Sequence, residues 1–578
     1  MSHFAIFRAL ESRGFPNDFV KFVENMYTKS TTILEVDDES SANIVVKRGV
    51  RQGDPLSSPI FCIVADDLLK AIPEEVGYFM DDCKINATAY ADDINIITAS
   101  SVGMQRALRA LEEEGEKRGL RLNKEKCSSI SVKPAGRVKK LKIITEAQFQ
   151  FSDGSYVKQL KPSESMKYLG IFFDPRGIKK CRGDLDQELK RISRAPLKPQ
   201  QRLKVLRSFL VPRWYYKLSL SRINITTLRE MDKNIRGYVK KWLNMPKDIP
   251  ISYIHANCKD GGLGIPSFTT TIPYLIYSRF NKLKESNSDT VRKLYNSSWI
   301  QNRIKWAHGR LWLDGEYRIK EGATQAYWRR KLYDSVDGAD LKECFKTSIN
   351  TRWLDANSNG IPGRDYIQYN HIRINALPTR SRTSRGIRSQ RAERLCRAGC
   401  DAVETATHVI QNCFRTHGGR IKRHDAVSKT LANGLRQKNW KVEEKNDFQT
   451  SEGLRKPDLV CMKDGVVWVI DTQVVGHYKP LNELHKDKIK KYRKDEIRDA
   501  IVTQFYKQNI NVLKENINFS SCTISYRGIW SQSSEEDLLS LGLTKGLLST
   551  LTTMSIQGSH TNWTRWNKMT NRLSTRRT

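Results

Sequence analysis

Apolar positions recur at helical spacing from Phe4 to Leu10, from Pro59 to Leu69 and from Ser101 to Arg118. In the last of these Leu108 and Leu111 share a face, and Gly119 supplies a stop. Strand-like runs lie between them at Asn86–Thr98 and Tyr168–Phe173. Residues 190–290 read as basic helices, and residues 291–380 are rich in Trp and Arg. From 420 onward helix and strand patterns mix again. There, Leu459–Met462 and Val466–Ile470 flank Asp464-Gly465, a strong two-residue hairpin signal. Leu481 to Tyr492 reads as a helix. The pattern is multidomain α+β.

Length and charge narrow the class. At roughly 100–200 residues per domain, 578 residues imply several units. The 39% hydrophobic content is enough to build cores. Lys and Arg number 99 against 63 Asp and Glu, a formal net charge of +36. A folded chain this basic repels itself without a polyanion. Nucleic acid is the first partner class, because phosphate neutralisation drives its binding. An anionic membrane surface is second. No apolar run reaches the roughly 18–20 residues of a membrane span, so no spanning segment is expected.

Tyr90-Ala91-Asp92-Asp93 sits between two strand-like flanks, so two carboxylates stand at a hairpin tip. Like charges this close repel unless a divalent cation lies between them, and two-metal phosphoryl transfer uses such a pair. An ordinary Asp-Asp turn accounts for the tetrapeptide equally well. The surroundings decide between them. Upstream, Arg51-Gln52-Gly53-Asp54-Pro55-Leu56-Ser57 forms a punctuated loop that opens a helix, suited to a triphosphate or a template strand. Asp66 and Asp67, within that helix, read as its polar face. Downstream come Gly119 to Cys127, with Lys124 and Lys126, and then Lys167-Tyr168-Leu169-Gly170.

Eleven cysteines are mostly scattered, as reduced thiols would be. Cys396, Cys400 and Cys413 cluster with His408 in a Cys-x3-Cys-x7-His-x4-Cys spacing, a donor set that suits tetrahedral Zn²⁺ in a structural role. Seven arginines between 380 and 397 precede it and add phosphate-binding charge. His417 and His424 receive no metal role. In the hairpin at 464–465, residue 463 pairs with 466, and the same register sets Asp458 opposite Asp471, about 5 Å apart at Cβ. Two facing carboxylates again predict a Mg²⁺ site. Lys488 and Tyr492 share a face of the following helix. The C-terminal segment, with Trp563, Arg565, Trp566, Lys568 and Arg572, reads either as a base-stacking and phosphate-contacting tail or as a docking segment.

RQGDPLS, YADD, GLRLNKEKC and KYLG, in this order, resemble the palm motifs of non-LTR retrotransposon reverse transcriptases. The resemblance implies a right-hand polymerase palm over 1–175 and a helical thumb over 176–290. It leaves a basic linker region at 291–390, a zinc knuckle at 391–420 and a restriction-enzyme-like α/β nuclease with its tail at 421–578. Asp92 then becomes a catalytic Mg²⁺ ligand, and Asp93 a second ligand or a support. Arg51, Gln52 and Gly53 face nucleotide or template, and Lys124 or Lys126 lies near the phosphates. The family's other catalytic Asp precedes a segment like Ser2-His3, so this chain is expected to be polymerase-deficient by itself. Asp458 and Asp471 resemble the Pro-Asp…Asp/Glu-x-Lys core of restriction-like nucleases, with Gln473 where the Lys stands. In the ribosomal-DNA-inserting clade a helix lysine completes that site, and Lys488 matches it. The implied reaction is target-primed reverse transcription, with element RNA and double-stranded target DNA as partners, in the nucleus. One copy or a homodimer is left open. A group II intron-like maturase and a non-catalytic nucleic-acid-binding remnant are the alternatives.

Overall fold

Tyr90 pairs with Asp93 across a two-residue turn, in a computed structural model of the protein. It describes residues 1–574 apart from 34, 37–38, 41, 81–82, 136–140, 181–183, 321, 355–359 and 389. The chain divides into two compact units. The first comprises Met1–Arg182, Tyr216–Ile223 and Pro273–Arg310; the second comprises Gly183–Tyr215, Asn224–Ile272 and Leu311–Thr578.

In the first unit the hairpin strands are β1 (Ala87–Tyr90) and β2 (Asp93–Ile96). Ala91 takes the left-handed conformation, φ +54°, an uncommon one for a residue other than glycine, as the tight turn requires. Helices α1 (Ser57–Lys70) and α2 (Ser101–Lys117) supply the backing. Leu68, Ala107 and Leu111 form its core, and Ile94 and Ile96 pack against them. Side chains alternate along a strand, so burying Ile94 and Ile96 sends Asp93 to the opposite face. Ser100 caps α2 by accepting from the Gly103 N–H, and Gly119 leaves it at φ +66°. Asp66 and Asp67 lie on α1 and pair with Arg13, while Arg118 also reaches Asp67. They are polar helix-face residues, as expected. The Tyr168–Phe173 run is not one strand. It is the corner of a second hairpin, β3 (Met166–Tyr168) and β4 (Ile171–Asp174). Leu169 and Gly170 both have positive φ, the signature of a tight turn whose twist matches its strands.

The second unit opens with basic helices. In α3 (Ile225–Trp242) the Asp232 carboxylate is buried and accepts from the Ser267 and Thr269 hydroxyls and from the Phe268 and Thr269 N–H groups. Asp232→Ala strands these donors, and we expect it to cost roughly 3 kcal/mol, read as a lowered midpoint in urea melts; an unchanged midpoint would show these bonds to be dispensable.

Much of the stretch 311–390, read from the sequence as a basic linker, packs into this same unit. On α4 (Gly363–Arg373), Arg373 is wholly buried and donates to the carbonyls of Asn350, Arg527 and Gly528. The Asn350 side chain in turn accepts from the Trp530 N–H.

A four-stranded sheet organises the C-terminal part. Its strands are β5 (Lys441–Glu444), β6 (Leu459–Lys463), β7 (Val466–Val475) and β8 (Ile517–Ser525), in that order across the sheet. The first two pairings are antiparallel and β7–β8 is parallel. Parallel strands need a crossover, and α6 lies in it (Leu481–Tyr492). Helices cover both faces. Val427, Leu431 and Leu435 of α5 (His417–Arg436) pack on Leu459, Cys461 and Ile470, together with Leu548 and Leu551 of the C-terminal helix α8 (Lys545–Ser574). Ile497, Ile501 and Phe505 pack on Val460, Val467 and Val469 of the other face. Burial on both faces explains why Val466–Ile470 is a continuous apolar run. A short helix, α7 (Gln532–Ser540), flanks β8. No described helix is long and apolar enough to cross a membrane.

Candidate active sites and metal centre

At the tip of the first hairpin, Asp92 and Asp93 are both exposed. Among the described residues neither carboxylate makes an ion pair. The Arg51–Gly53 loop is exposed as well and leads into α1. Gly53 has φ +92°, Asp54 accepts from the Leu56 N–H, and the Ser57 hydroxyl donates to the Arg51 carbonyl. Lys124, expected near the phosphates with Lys126 as the alternative, has partners within the chain. It pairs with Asp153 and lies 5.1 Å from the Phe151 ring centre, and this ion pair holds the Asp153 carboxyl well below the usual range. Lys126 is exposed. The fold thus brings Asp92 and Asp93 together. Among the described residues it makes no direct bond from them to Arg51, Gln52, Gly53, Lys124 or Lys126.

The second constellation lies on the four-stranded sheet. Lys463 pairs with Val466, and the ladder runs to Leu459 opposite Ile470, so Asp458 stands next in register with Asp471. Asp458 accepts from the Thr472 N–H at 2.7 Å. Asp471 is 4% exposed. Burial lifts its carboxyl above the usual range; Lys488 opposes that shift and Asp458 adds to it. Lys488 Nζ reaches from α6 to within 2.7 Å of Asp471 Oδ2.

His424, given no role by the sequence reading, belongs to this constellation. It projects from α5, with Nε2 at 2.9 Å from the Thr472 carbonyl and 3.1 Å from Asp458 Oδ2. Asp458 raises the imidazole to about 9, so the ring is charged at neutral pH. Nothing in the local sequence marks it, because the contact joins a helix to a strand more than thirty residues away.

The third constellation is a cluster of three cysteines and a histidine. Donor atoms of Cys396, Cys400, His408 and Cys413 all lie within 4.8 Å of one another. Cys413 Sγ is 4.0 Å from Cys396 Sγ and 3.7 Å from Cys400 Sγ. Gly399, at φ +90°, turns the chain between the first two cysteines. His408 Nε2 is buried without a hydrogen-bond partner, and burial pushes the Cys396 thiol up to about 12. Three clustered thiols and an orphaned imidazole nitrogen fit a tetrahedral metal ion, which would take the thiolates and the free nitrogen as donors.

The surroundings revise two expectations. Of the arginine run, Arg382 and Arg385 pair with Asp337, and Arg397 grips the fully buried Glu404. Arg380, Arg385, Arg388, Arg391 and Arg394 are the exposed members, and of these Arg388, Arg391 and Arg394 make no ion pair among the described residues. Trp563 and Trp566 are buried and stacked 5.4 Å apart, with the Arg397 guanidinium over Trp566. These tryptophans dock the last helix and are unavailable for stacking on bases.

Residues 1–173 match the family described as "Reverse transcriptase (RNA-dependent DNA polymerase)". The chain is 38% identical to the "Retrovirus-related Pol polyprotein from type-2 retrotransposable element R2DM" of Drosophila melanogaster, over 94% of this chain and 50% of that protein. It is 36% identical to the "Retrovirus-related Pol polyprotein from type-1 retrotransposable element R2" of Nasonia vitripennis, over 100% of this chain and 55% of that protein. A Pol polyprotein from an R2 element of Popillia japonica is 32% identical over 76% of this chain and 89% of its own length. The chain belongs to the R2 retrotransposon Pol polyproteins. It spans about half the length of the first two of these relatives. The non-LTR retrotransposon resemblance of the four N-terminal motifs is thereby borne out, and the R2 chain carries a reverse transcriptase domain.

Proposed function

We propose that this R2 chain carries two active centres of one insertion reaction: RNA-templated DNA synthesis at Asp92 and Asp93, and DNA cleavage at Asp458, Asp471 and Lys488. The observation that carries the reading is the second triad. Lys488 of α6 is paired with Asp471 of β7, and Asp458, one residue before β6, stands next in register with Asp471. Lys488 pairs with Asp471 and His424 with Asp458, so each carboxylate has one cationic partner, and a Mg²⁺ ion would sit between the two acids that face each other in register.

In this reading Asp458 and Asp471 hold Mg²⁺, which supplies Lewis-acid activation when bound. Lys488 orients the attacking water or steadies charge on the pentacoordinate phosphate. His424, charged and bonded to Asp458, fixes that carboxylate's orientation. At the hairpin tip, Asp92 is the Mg²⁺ ligand and Asp93 its support, with the palm over 1–175 and the thumb over 176–290. The exposed Arg51 and Gln52 face nucleotide or template, and Lys126 the phosphates. The Cys396–Cys400–His408–Cys413 knuckle holds structural Zn²⁺ and presents Arg388, Arg391 and Arg394 to the nucleic-acid backbone. Partners are element RNA and double-stranded target DNA, which places the protein in the nucleus.

A coupled assay tests the order of events: target duplex, element RNA, deoxynucleotides and Mg²⁺. The chain by itself is expected to nick without extending; where extension does occur, Asp92→Asn removes it and leaves the nick. Lys488→Ala removes the nick, and any extension is then restored by a pre-nicked duplex. Nicking that persists in Lys488→Ala, or extension that persists in Asp92→Asn, rejects the corresponding assignment.

A further inference from the structure

Position 473 is where restriction-like nucleases carry a lysine two residues after the second acid, and here it is glutamine. Residues 471 and 473 share one face of β7, since side chains alternate along a strand. Gln473 has no ammonium to offer, yet both of its amide hydrogens are engaged. Its Nε2 donates to the Leu484 carbonyl at 3.0 Å and to Thr523 Oγ1 at 2.7 Å. A carbonyl can only accept, so the amide nitrogen must face it.

Leu484 lies on α6, four residues before Lys488. Its carbonyl is therefore also the intrahelical acceptor for the Lys488 N–H. Gln473 grips the turn of helix from which Lys488 projects. The bonds run on from there. Thr523 Oγ1 is 2.7 Å from Ser521 Oγ, and His485 Nδ1 lies 2.9 Å from both Ser521 Oγ and Ser534 Oγ. Ser521, Thr523 and Ser534 are fully buried and His485 is 3% exposed. Solvent has no ready access to replace a partner lost here, so each group depends on its neighbours in the chain. The helix is thus held at two consecutive residues, Leu484 through its backbone and His485 through its ring.

We propose that Gln473 is a positioning residue for the nuclease: its amide fixes the Leu484–Lys488 turn and so sets the Lys488 ammonium against Asp471. The lysine of this core has moved from strand to helix, and the strand position it left now holds the helix that carries it. The inference rests on the nuclease reading above. Its physical weight comes from tolerance: a displacement near 1 Å in a catalytic group can cost on the order of 10²-fold in rate, and a lysine on an unanchored helix turn is free to move that far.

The test is nicking of target duplex by the full chain carrying Gln473→Met or Gln473→Glu. Met keeps the length and removes the donor; Glu keeps the shape and sets a carboxylate against the Leu484 carbonyl. Both should lower kcat by about 10–100-fold, as loss of a supporting partner does, with KM for DNA held within about twofold. Thr523→Val, which leaves the bond to Leu484 and cuts the next link, should give a smaller loss of the same kind. In a Lys488→Ala background, Gln473→Met should add nothing to the loss, because both act through one ammonium. Unaltered kcat in both Gln473 variants overturns the inference and leaves the nuclease reading standing. A further loss of residual nicking in the Lys488→Ala background also overturns it, since the role would then be independent of the lysine. Normal nicking by Lys488→Ala overturns the nuclease reading and this inference with it.

Discussion

Lys488→Ala reduces DNA nicking by on the order of 10²–10³-fold, the loss typical when a group that stabilises transition-state charge is removed, and leaves DNA affinity close to that of the unaltered chain. The geometry sets both halves of this expectation. The ammonium lies 2.7 Å from an almost fully buried carboxylate, in a setting where charge interactions are stronger than in water. Removing it deletes the only lysine paired with Asp471 among the described residues, and it leaves two carboxylates side by side. DNA affinity depends on many phosphate contacts spread over a chain of net charge +36, so one lysine contributes little. Lys488→Arg should not rescue the loss, because a planar fork does not replace a compact ammonium on a flexible stem. Single-turnover nicking of an end-labelled duplex, run beside a binding titration at fixed salt, separates the two effects. Nicking at the unaltered rate would remove Lys488 from the site; a collapse of binding that matches the loss of nicking would make it a phosphate contact.

The hairpin at Asp464-Gly465 was legible because two short-range rules compound. Asp464-Gly465 fixes a two-residue turn, and a fixed turn fixes register, so the placement of Asp458 against Asp471 follows thirteen residues away in sequence. The helix start, stop and core face of Ser101–Lys117 follow from equally local signals. What escaped was long-range or degenerate. His424 reaches Asp458 from a helix on the far side of three short strands, and a lone histidine on a basic helix carries no signature. Leu169-Gly170 lies inside an apolar run that reads as one strand, and only the positive φ at both residues reveals a turn. Lys124 was one basic residue among several, and its engagement by Asp153 and Phe151 depends on tertiary packing. The arginine run was legible only as charge. Composition does not report partners, and the acids on Arg382 and Arg385 are Asp337 and Asp248, both distant in sequence.

Stripping zinc from the knuckle, by a strong chelator or by Cys413→Ser, should produce the largest stability loss of any single change considered. Structural zinc sites contribute apparent binding energies of about 10–16 kcal/mol at neutral pH, far above the few kcal/mol at stake in a buried side chain. Without metal, a wholly buried Cys413 faces two other thiols, and His408 Nε2 has no partner. The consequence is not confined to the knuckle. Arg397 sits between Cys396 and the last helix, with its guanidinium 4.8 Å from the Trp566 ring centre and one nitrogen bonded to Asn571. Loosening the knuckle should therefore release the C-terminal turns of α8 and expose Trp563 and Trp566. The expected observations are release of one zinc per chain, a red shift in tryptophan fluorescence and a lowered melting temperature. Nicking should fall less steeply than melting stability, because Asp458, Asp471 and Lys488 stand on the sheet and on α6, outside the knuckle. Metal analysis that finds no zinc in the purified chain, with tryptophan emission indifferent to chelator, would reduce the four residues to an ordinary thiol cluster. Zinc release with an immediate and complete loss of nicking at temperatures where the chain stays folded would instead give the knuckle a direct part in presenting DNA to the cutting site.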